Sequence, residues 1–216
     1  MKKKIVLFVL FILPIVAYLF FASGINNFTK LPVLRPDVTE LPDWPSLTGD
    51  KVQLGGKITV LGFGGKDLLK NRGNLFNLGQ KVYERYHGFD DLQFVFICPT
   101  GTEKDAQHIV DQFNTFADTK SLRFVFAPPA EIENYYASLK LKGKLNADAG
   151  TSNIYLLDKN RNLRGRKGDE YKEGYDMFHP SELSNKMLDD FKVLLYEYKA
   201  ALRKNHNASK QLDNEK

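Results

Sequence analysis

After residue 50, the hydrophobic pattern switches repeatedly between a period of two residues and a period of about 3.6, which indicates strands alternating with helices. Short runs rich in β-branched and aromatic residues predict strands at 58–63, 93–97 and 122–126. Apolar stripes at helical spacing predict helices at 75–86, 106–116 and 131–139, and a long final helix at 181–204. Two further short strands, 154–157 and 162–166, flank a predicted hairpin turn at 158–161.

The resulting order, β-α-β-α-β-α-β-β-α, restricts how the strands can pair. Helical connections between the first strands require parallel pairing, whereas the tight turn near Asn160 requires an antiparallel pair. We therefore predict an α/β fold, a mixed sheet with helices on both faces in the layout of a thioredoxin-like domain. Residues 51–204 are predicted to form this domain, which is of ordinary size.

The first 24 residues predict a cytoplasmic amino terminus and a transmembrane anchor. Three lysines at 2–4 precede an apolar run from 5 to 22, interrupted only by Pro14. Such a run is about long enough to cross a hydrocarbon core of ~30 Å. By the positive-inside rule, the rest of the chain then lies on the periplasmic side of the cytoplasmic membrane. A cleaved signal peptide, with small residues at 22–24, is the alternative, but its apolar region would be unusually long.

The segments on either side of the predicted domain are polar. Residues 25–50 contain four prolines and are predicted to form an extracytoplasmic tether stiffened by X-Pro units, with packing against the domain at 41–44. Residues 205–216 are predicted to be a frayed polar tail.

Composition argues against several classes of partner. Beyond the first lysines, the basic residues are interleaved with acidic ones, so the formal net charge of +5 does not predict nucleic-acid binding. The glycine-rich stretch 62–67 lacks both the P-loop spacing and the third glycine of a dinucleotide fingerprint, so no nucleotide partner is predicted. The four histidines share no ligand spacing, and no metal or cofactor is predicted. The single cysteine, Cys98, cannot form an internal disulfide.

Residues 58–63 opening into a helix, residues 93–99 followed by an acidic turn at 102–105, and residues 150–158 resemble the Sco/SenC family of membrane-anchored thioredoxin-fold proteins. The resemblance covers residues 41–204. It implies a C-x-x-x-C loop after the first strand and a histidine before the late strand, and these positions fall on Lys66, Lys70 and Gly150. Thiolates and imidazole are the ligands that copper selects, so copper delivery and dithiol exchange are not expected. We expect Gly150 to approach Lys66 and Lys70 on the first helical turn, and all three positions to tolerate cysteine or histidine.

These observations leave two hypotheses for the function, which belong to different classes. The first is a binding or assembly factor, without catalytic residues, whose partner is a membrane or secreted protein; the resemblance implies assembly of respiratory membrane proteins. The loop with Tyr171, Tyr175, Met177 and Phe178 either packs against the final helix or forms the partner surface. The second is a one-cysteine thiol peroxidase or reductase that uses Cys98, for which a buried structural thiol is the alternative.

Overall fold

The computed structural model describes residues 10–16 and 30–214, with side chains up to residue 201. Within these residues, seven strands form one mixed sheet in the order β1-β6-β5-β2-β3-β4, with β7 added beside β5. Strands β2, β3 and β4 pair in parallel, and the remaining pairs are antiparallel. The strands are β1 (Val33–Arg35), β2 (Ile58–Gly64), β3 (Leu92–Pro99), β4 (Leu122–Ala127), β5 (Gly150–Leu157), β6 (Leu163–Arg164) and β7 (Tyr175–Asp176).

Helices cover both faces of this sheet. One face carries α1 (Arg72–Leu78), α2 (Glu103–Phe113) and α4 (Leu188–Asn214), and the other carries α3 (Pro129–Ser138). Helix α1 continues through the π-helical turn Gly79–Tyr83 into Glu84–Tyr86, and α4 is preceded by Pro180–Glu182 and the π-helical turn Leu183–Met187. The predicted mixed sheet with helices on both faces is therefore confirmed.

Strand β3, the middle one of the three parallel strands, explains why both faces are needed. Side chains of successive strand residues point to opposite faces. Phe94 and Phe96 enter the core beneath α1, α2 and α4, while Val95 and Ile97 enter the core beneath α3. Because every residue of β3 is buried, this strand is stable only as the middle of a sheet covered on both sides.

The segment 30–50, which the sequence analysis assigns to the tether, lies on the domain. Val33–Arg35 pairs with β6 at one edge of the sheet. At the other edge the Phe126 N–H donates to the Pro45 carbonyl at 2.9 Å, and the Leu47 N–H donates to the Phe124 carbonyl at 3.0 Å. The segment therefore covers both sheet edges, which would otherwise expose unpaired backbone groups.

A buried ion cluster fixes the start of this segment. The Leu31 N–H donates to Glu197 Oε1 of α4 at 2.5 Å, and the Leu31 carbonyl accepts from Arg164 Nε at 2.8 Å. Arg164 also donates to Asp158 Oδ2 at 2.9 Å and to Glu197 Oε2 at 2.6 Å. Leu31 itself belongs to the core.

The predicted anchor falls outside the described residues except for 10–16, which are helical. Among the helices of the described residues, none is both long and apolar enough to cross a membrane. At the other end, α4 runs to Asn214 and so includes most of the segment predicted to be a frayed tail.

Candidate functional site

The junction after β2 is a loop, and the helix begins only after the two lysines that were expected on its first turn. Gly65 turns the chain with a φ of +71°, which favours glycine. The Asn71 N–H then donates to the Asp67 carbonyl at 3.0 Å, and α1 begins only at Arg72. Lys66 and Lys70 therefore precede the helix, and their predicted position on its first turn is wrong.

Both lysine side chains are exposed. Lys70 Nζ lies 3.7 Å from Asp67 Oδ2, and the Lys66 backbone N–H donates to the Asp148 carbonyl at 3.0 Å. The second contact ties the loop after β2 to the chain just before β5. The structure thus brings Lys66, Lys70 and Gly150, the positions where the resemblance implies ligands, to one region. Lys66 and Lys70 do not line the cavity described below.

Gly150 meets the junction through its backbone. It pairs with Gly64 across β2 and β5, and a Cβ added at Gly150 would lie 2.8 Å from the Gly65 Cα and 2.9 Å from the Gly65 nitrogen. Real Cβ atoms do not approach backbone atoms this closely, so one of the two strands would have to move. The expectation that Gly150 tolerates histidine is therefore wrong.

A cavity of about 340 Å³ lies over the same junction. Its floor is apolar and includes Phe63, Phe96 and Met177. The remaining wall is polar, and Lys144 is the charged member of the lining. The polar side chains of the wall are Asn71, Asn74, Lys144, Asn146, Thr151 and Ser152. These residues could not be recognised from the sequence, because single asparagine, serine and threonine residues carry no specific pattern and they come from the start of α1, the loop before β5 and the start of β5.

Cys98 lies at the end of β3, beneath this cavity, and does not line it. The side chain is fully buried. Its Sγ fills the space beside Gly64, where an added Cβ would lie 2.7 Å away. Burial, with a smaller effect of Glu103, raises the pKa of the thiol to about 12. Among the described residues, no group of three His, Cys, Asp or Glu side chains could hold a metal ion.

The aromatic loop before the final helix divides into a packed part and an exposed part. Tyr175 is fully buried and donates its hydroxyl to Asp190 Oδ2 of α4 at 2.6 Å. Met177 is also buried and lines the cavity. Tyr171 is partly exposed, with Lys142 Nζ 3.5 Å from its ring centroid, whereas the side chain of Phe178 is 65% exposed.

Asp176 holds the exposed Phe178 in place. Its Oδ1 accepts from the Phe178 N–H at 2.9 Å, and its Oδ2 lies 2.8 Å from His179 Nδ1. Burial raises the pKa of Asp176, but hydrogen bonds from Ser152, Phe178 and His179 outweigh it, and the pKa lies below its usual value. A charged Asp176 therefore fixes the backbone at Phe178, the residue that follows the cavity-lining Met177.

These features define a thioredoxin-like domain with a polar cavity at the end of its central parallel strands. No family model matches the chain, and no curated protein matches its sequence. Solved structures do match. A SCO1/SenC family lipoprotein from Bacillus anthracis is 17% identical over 75% of this chain and 96% of that chain, with a TM-score of 0.51.

BsSco, described as a member of the Sco family of cytochrome c oxidase assembly proteins, is 14% identical over 76% of this chain and 94% of its own, with a TM-score of 0.51. A proposed protein disulfide isomerase from Bacteroides thetaiotaomicron is 14% identical over 78% of this chain and 95% of that chain, again with a TM-score of 0.51. At these identities the likeness concerns the fold. It confirms the thioredoxin-like fold, and Sco/SenC proteins are among its structural neighbours.

Proposed function

We propose that this chain is a membrane-anchored binding or assembly factor, in which a Sco-like domain outside the cytoplasm engages a membrane or secreted protein. The observation that carries the proposal is the set of residues at the junction after β2, which are not the residues of a copper or thiol site. Lys66, Lys70 and Gly150 stand where the resemblance implies copper and thiol ligands, while a cavity lined by amides and hydroxyls lies over the same place. Such a wall can bind and orient a ligand, but it supplies no thiolate.

The predicted location outside the cytoplasm, anchored in the membrane, rests on the lysines at 2–4 and the apolar run 5–22. Leu31 is fixed to Arg164 and Glu197, so only residues 23–30 separate the apolar run from the domain. An extended segment of this length reaches at most about 29 Å. The domain would therefore stay close to the bilayer, where a membrane protein is the natural partner. A role in assembling respiratory membrane proteins is the extension that the BsSco likeness suggests.

The alternative, a one-cysteine peroxidase or reductase, requires an accessible thiolate. Cys98 is buried under Gly64 and Leu68, and its pKa is raised to about 12. A nearby cation would be needed to lower the pKa of the thiol, but Lys66, on the loop after β2, has an exposed side chain and is not among the causes of the pKa shift of Cys98. Nothing in this geometry favours the enzymatic hypothesis.

Site-specific photo-crosslinking in native membranes tests the proposal. Lys70→Cys introduces an exposed thiol on the loop beside the cavity, and a benzophenone maleimide labels it selectively because Cys98 is buried. Lys120→Cys is the matched control, since it is equally exposed and precedes β4 at the opposite end of the parallel strands.

We expect a discrete protein adduct from Lys70→Cys, and a weaker or absent adduct from Lys120→Cys. Adding Phe178→Ala to Lys70→Cys tests the exposed part of the aromatic loop, and it should reduce the adduct because Phe178 is an exposed apolar side chain next in sequence to the cavity-lining Met177. The same adducts from both labelled positions, or none from Lys70→Cys, would contradict the proposed function.

A further inference from the structure

The cavity carries an unopposed positive charge. Lys144 is its charged lining residue, and its ammonium group makes no ion pair with any described residue. Of the acidic residues nearby, Asp67 faces Lys70 and Asp176 faces His179. Asp148, which is close in sequence to the lining residues, makes no ion pair with a described residue, but it does not line the cavity. An incoming carboxylate would thus meet a free cation without a carboxylate in the lining to repel it.

The neutral part of the wall is also unengaged. The side-chain amides of Asn71 and Asn74 make no hydrogen bond to another residue in the described part of the chain. Each amide offers two donors and one acceptor oxygen, which is a suitable set for a carboxylate or a peptide group. The floor beneath them is formed by aromatic and methionine side chains, so a ligand with an apolar group beside its polar group would fill both regions.

We infer that the cavity accepts an extended segment of the partner protein that carries an acidic side chain next to an aromatic or aliphatic one. The inference rests on the proposed function, because the segment belongs to that partner. A volume of about 340 Å³ lies near the lower end of the range for small-ligand sites, and it admits side chains of a segment rather than a folded surface. Phe178, which is exposed and follows the lining residue Met177 in the chain, offers a further apolar side chain for an extended segment, and this favours a segment over a free small acid.

A nearly isosteric substitution tests the charge preference. Asn74→Asp places a carboxylate in the wall without changing its volume, and an acidic residue in the first turn of α1 is favourable for the helix. Lys144→Glu reverses the charge of the lining. Asn134→Asp is the matched control, because it makes the same change at an exposed position of α3 on the other face of the sheet.

The full chain in detergent micelles is immobilised and offered three pools of acetylated hexapeptides, with central residues fixed as Phe-Asp, Phe-Asn or Phe-Lys. The unaltered chain should retain the Phe-Asp pool about fivefold better than the Phe-Asn pool, as expected for one exposed ion pair. Lys144→Glu should shift the preference to the Phe-Lys pool, and Asn74→Asp, which offsets the charge of Lys144, should abolish the preference for the Phe-Asp pool. Asn134→Asp should leave it unchanged.

Equal retention of the three pools, or an unchanged preference in Asn74→Asp and Lys144→Glu, would overturn the inference. Displacement of the Phe-Asp pool by an equal concentration of 3-phenylpropionate would also overturn it, because the ligand would then be a free acid. The crosslinking from Lys70→Cys gives a separate result. An adduct that persists in Asn74→Asp refutes the acidic segment and preserves the proposed function. The expected pool preference without any adduct refutes the proposed function and preserves the preference of the cavity for an acidic peptide.

Discussion

Alkylation of Cys98 distinguishes a binding protein from a thiol enzyme, because the two functions require opposite environments for the thiol. The species that reacts is the thiolate. Burial raises the pKa of Cys98 from its ordinary value of 9.0 to about 12. Three pKa units reduce the thiolate population near neutral pH about a thousandfold relative to an exposed cysteine. Full burial adds a further barrier, since the reagent reaches the sulfur only when the structure opens locally.

The assay treats the folded full-length chain with iodoacetamide near pH 7.5 and counts the label by mass spectrometry. Lys70→Cys supplies an exposed reference thiol in the same molecule. We expect the reference to react at least about a thousandfold faster than Cys98, and Cys98 to become reactive only at guanidinium concentrations that unfold the domain. Reaction of Cys98 within tenfold of the reference under native conditions would refute the reasoning and revive the peroxidase hypothesis.

The same thiol makes stability depend on alkaline pH. Its folded-state pKa lies above its unfolded-state pKa, so its contribution is complete below pH 9 and is lost as the pH rises towards about 12. In that window the unfolded chain releases a proton that the folded chain retains. The free energy of unfolding should therefore fall by about 1.4 kcal/mol per pH unit from this group alone. Cys98→Ala should remove that part of the slope, and an unchanged slope between pH 9 and 11 would contradict the assignment.

Three further predictions concern stability, measured as the free energy of unfolding in urea. Arg164→Met should cost about 3–5 kcal/mol, because it leaves Asp158 and Glu197 charged without their buried partner; a loss below 1 kcal/mol would contradict this. Gly150→Ala should cost about 2 kcal/mol or more because of the contact with Gly65, whereas Gly73→Ala, in open space on α1, should stabilise by about 0.5–1 kcal/mol; equal effects would refute the steric argument. Tyr175→Phe should cost about 1.5–3 kcal/mol through the lost hydrogen bond to charged Asp190, and no loss would show that the bond contributes nothing.

The central sheet was predictable because its strands are short, nearly continuous apolar runs and its helices carry apolar stripes. Alternate residues of β3 enter two different cores, so both sets are mostly apolar, and the stripes of α1, α2 and α4 face one of these cores. The order of the elements then restricted the pairing, since helical crossovers require parallel strands.

The N-terminal segment and β7 could not be predicted in the same way. Strands of two or three residues contain too little pattern to recognise, and the prolines of the segment indicated a linker. Their positions depend on the edges that the rest of the sheet leaves uncovered, which are a property of the complete fold. The cavity is also of this kind, because Asn74, Lys144 and Ser152 are distant in sequence and only the tertiary structure brings them together.

The backbone of the junction after β2 also bears on the ligand positions that the Sco/SenC resemblance implies. Gly64 lacks a Cβ, and its space is filled by Cys98 Sγ and by Leu68, each 2.7 Å from where a Cβ would lie. Gly65 has a positive φ, and Gly150 approaches it too closely for any side chain. Restoring a histidine at position 150 would therefore require β2 and β5 to separate, whereas the exposed positions 66 and 70 have room for cysteine. The glycines leave no room for a side chain at the position where the resemblance implies a histidine ligand. The polar cavity beside them is the part of this junction that could bind a ligand.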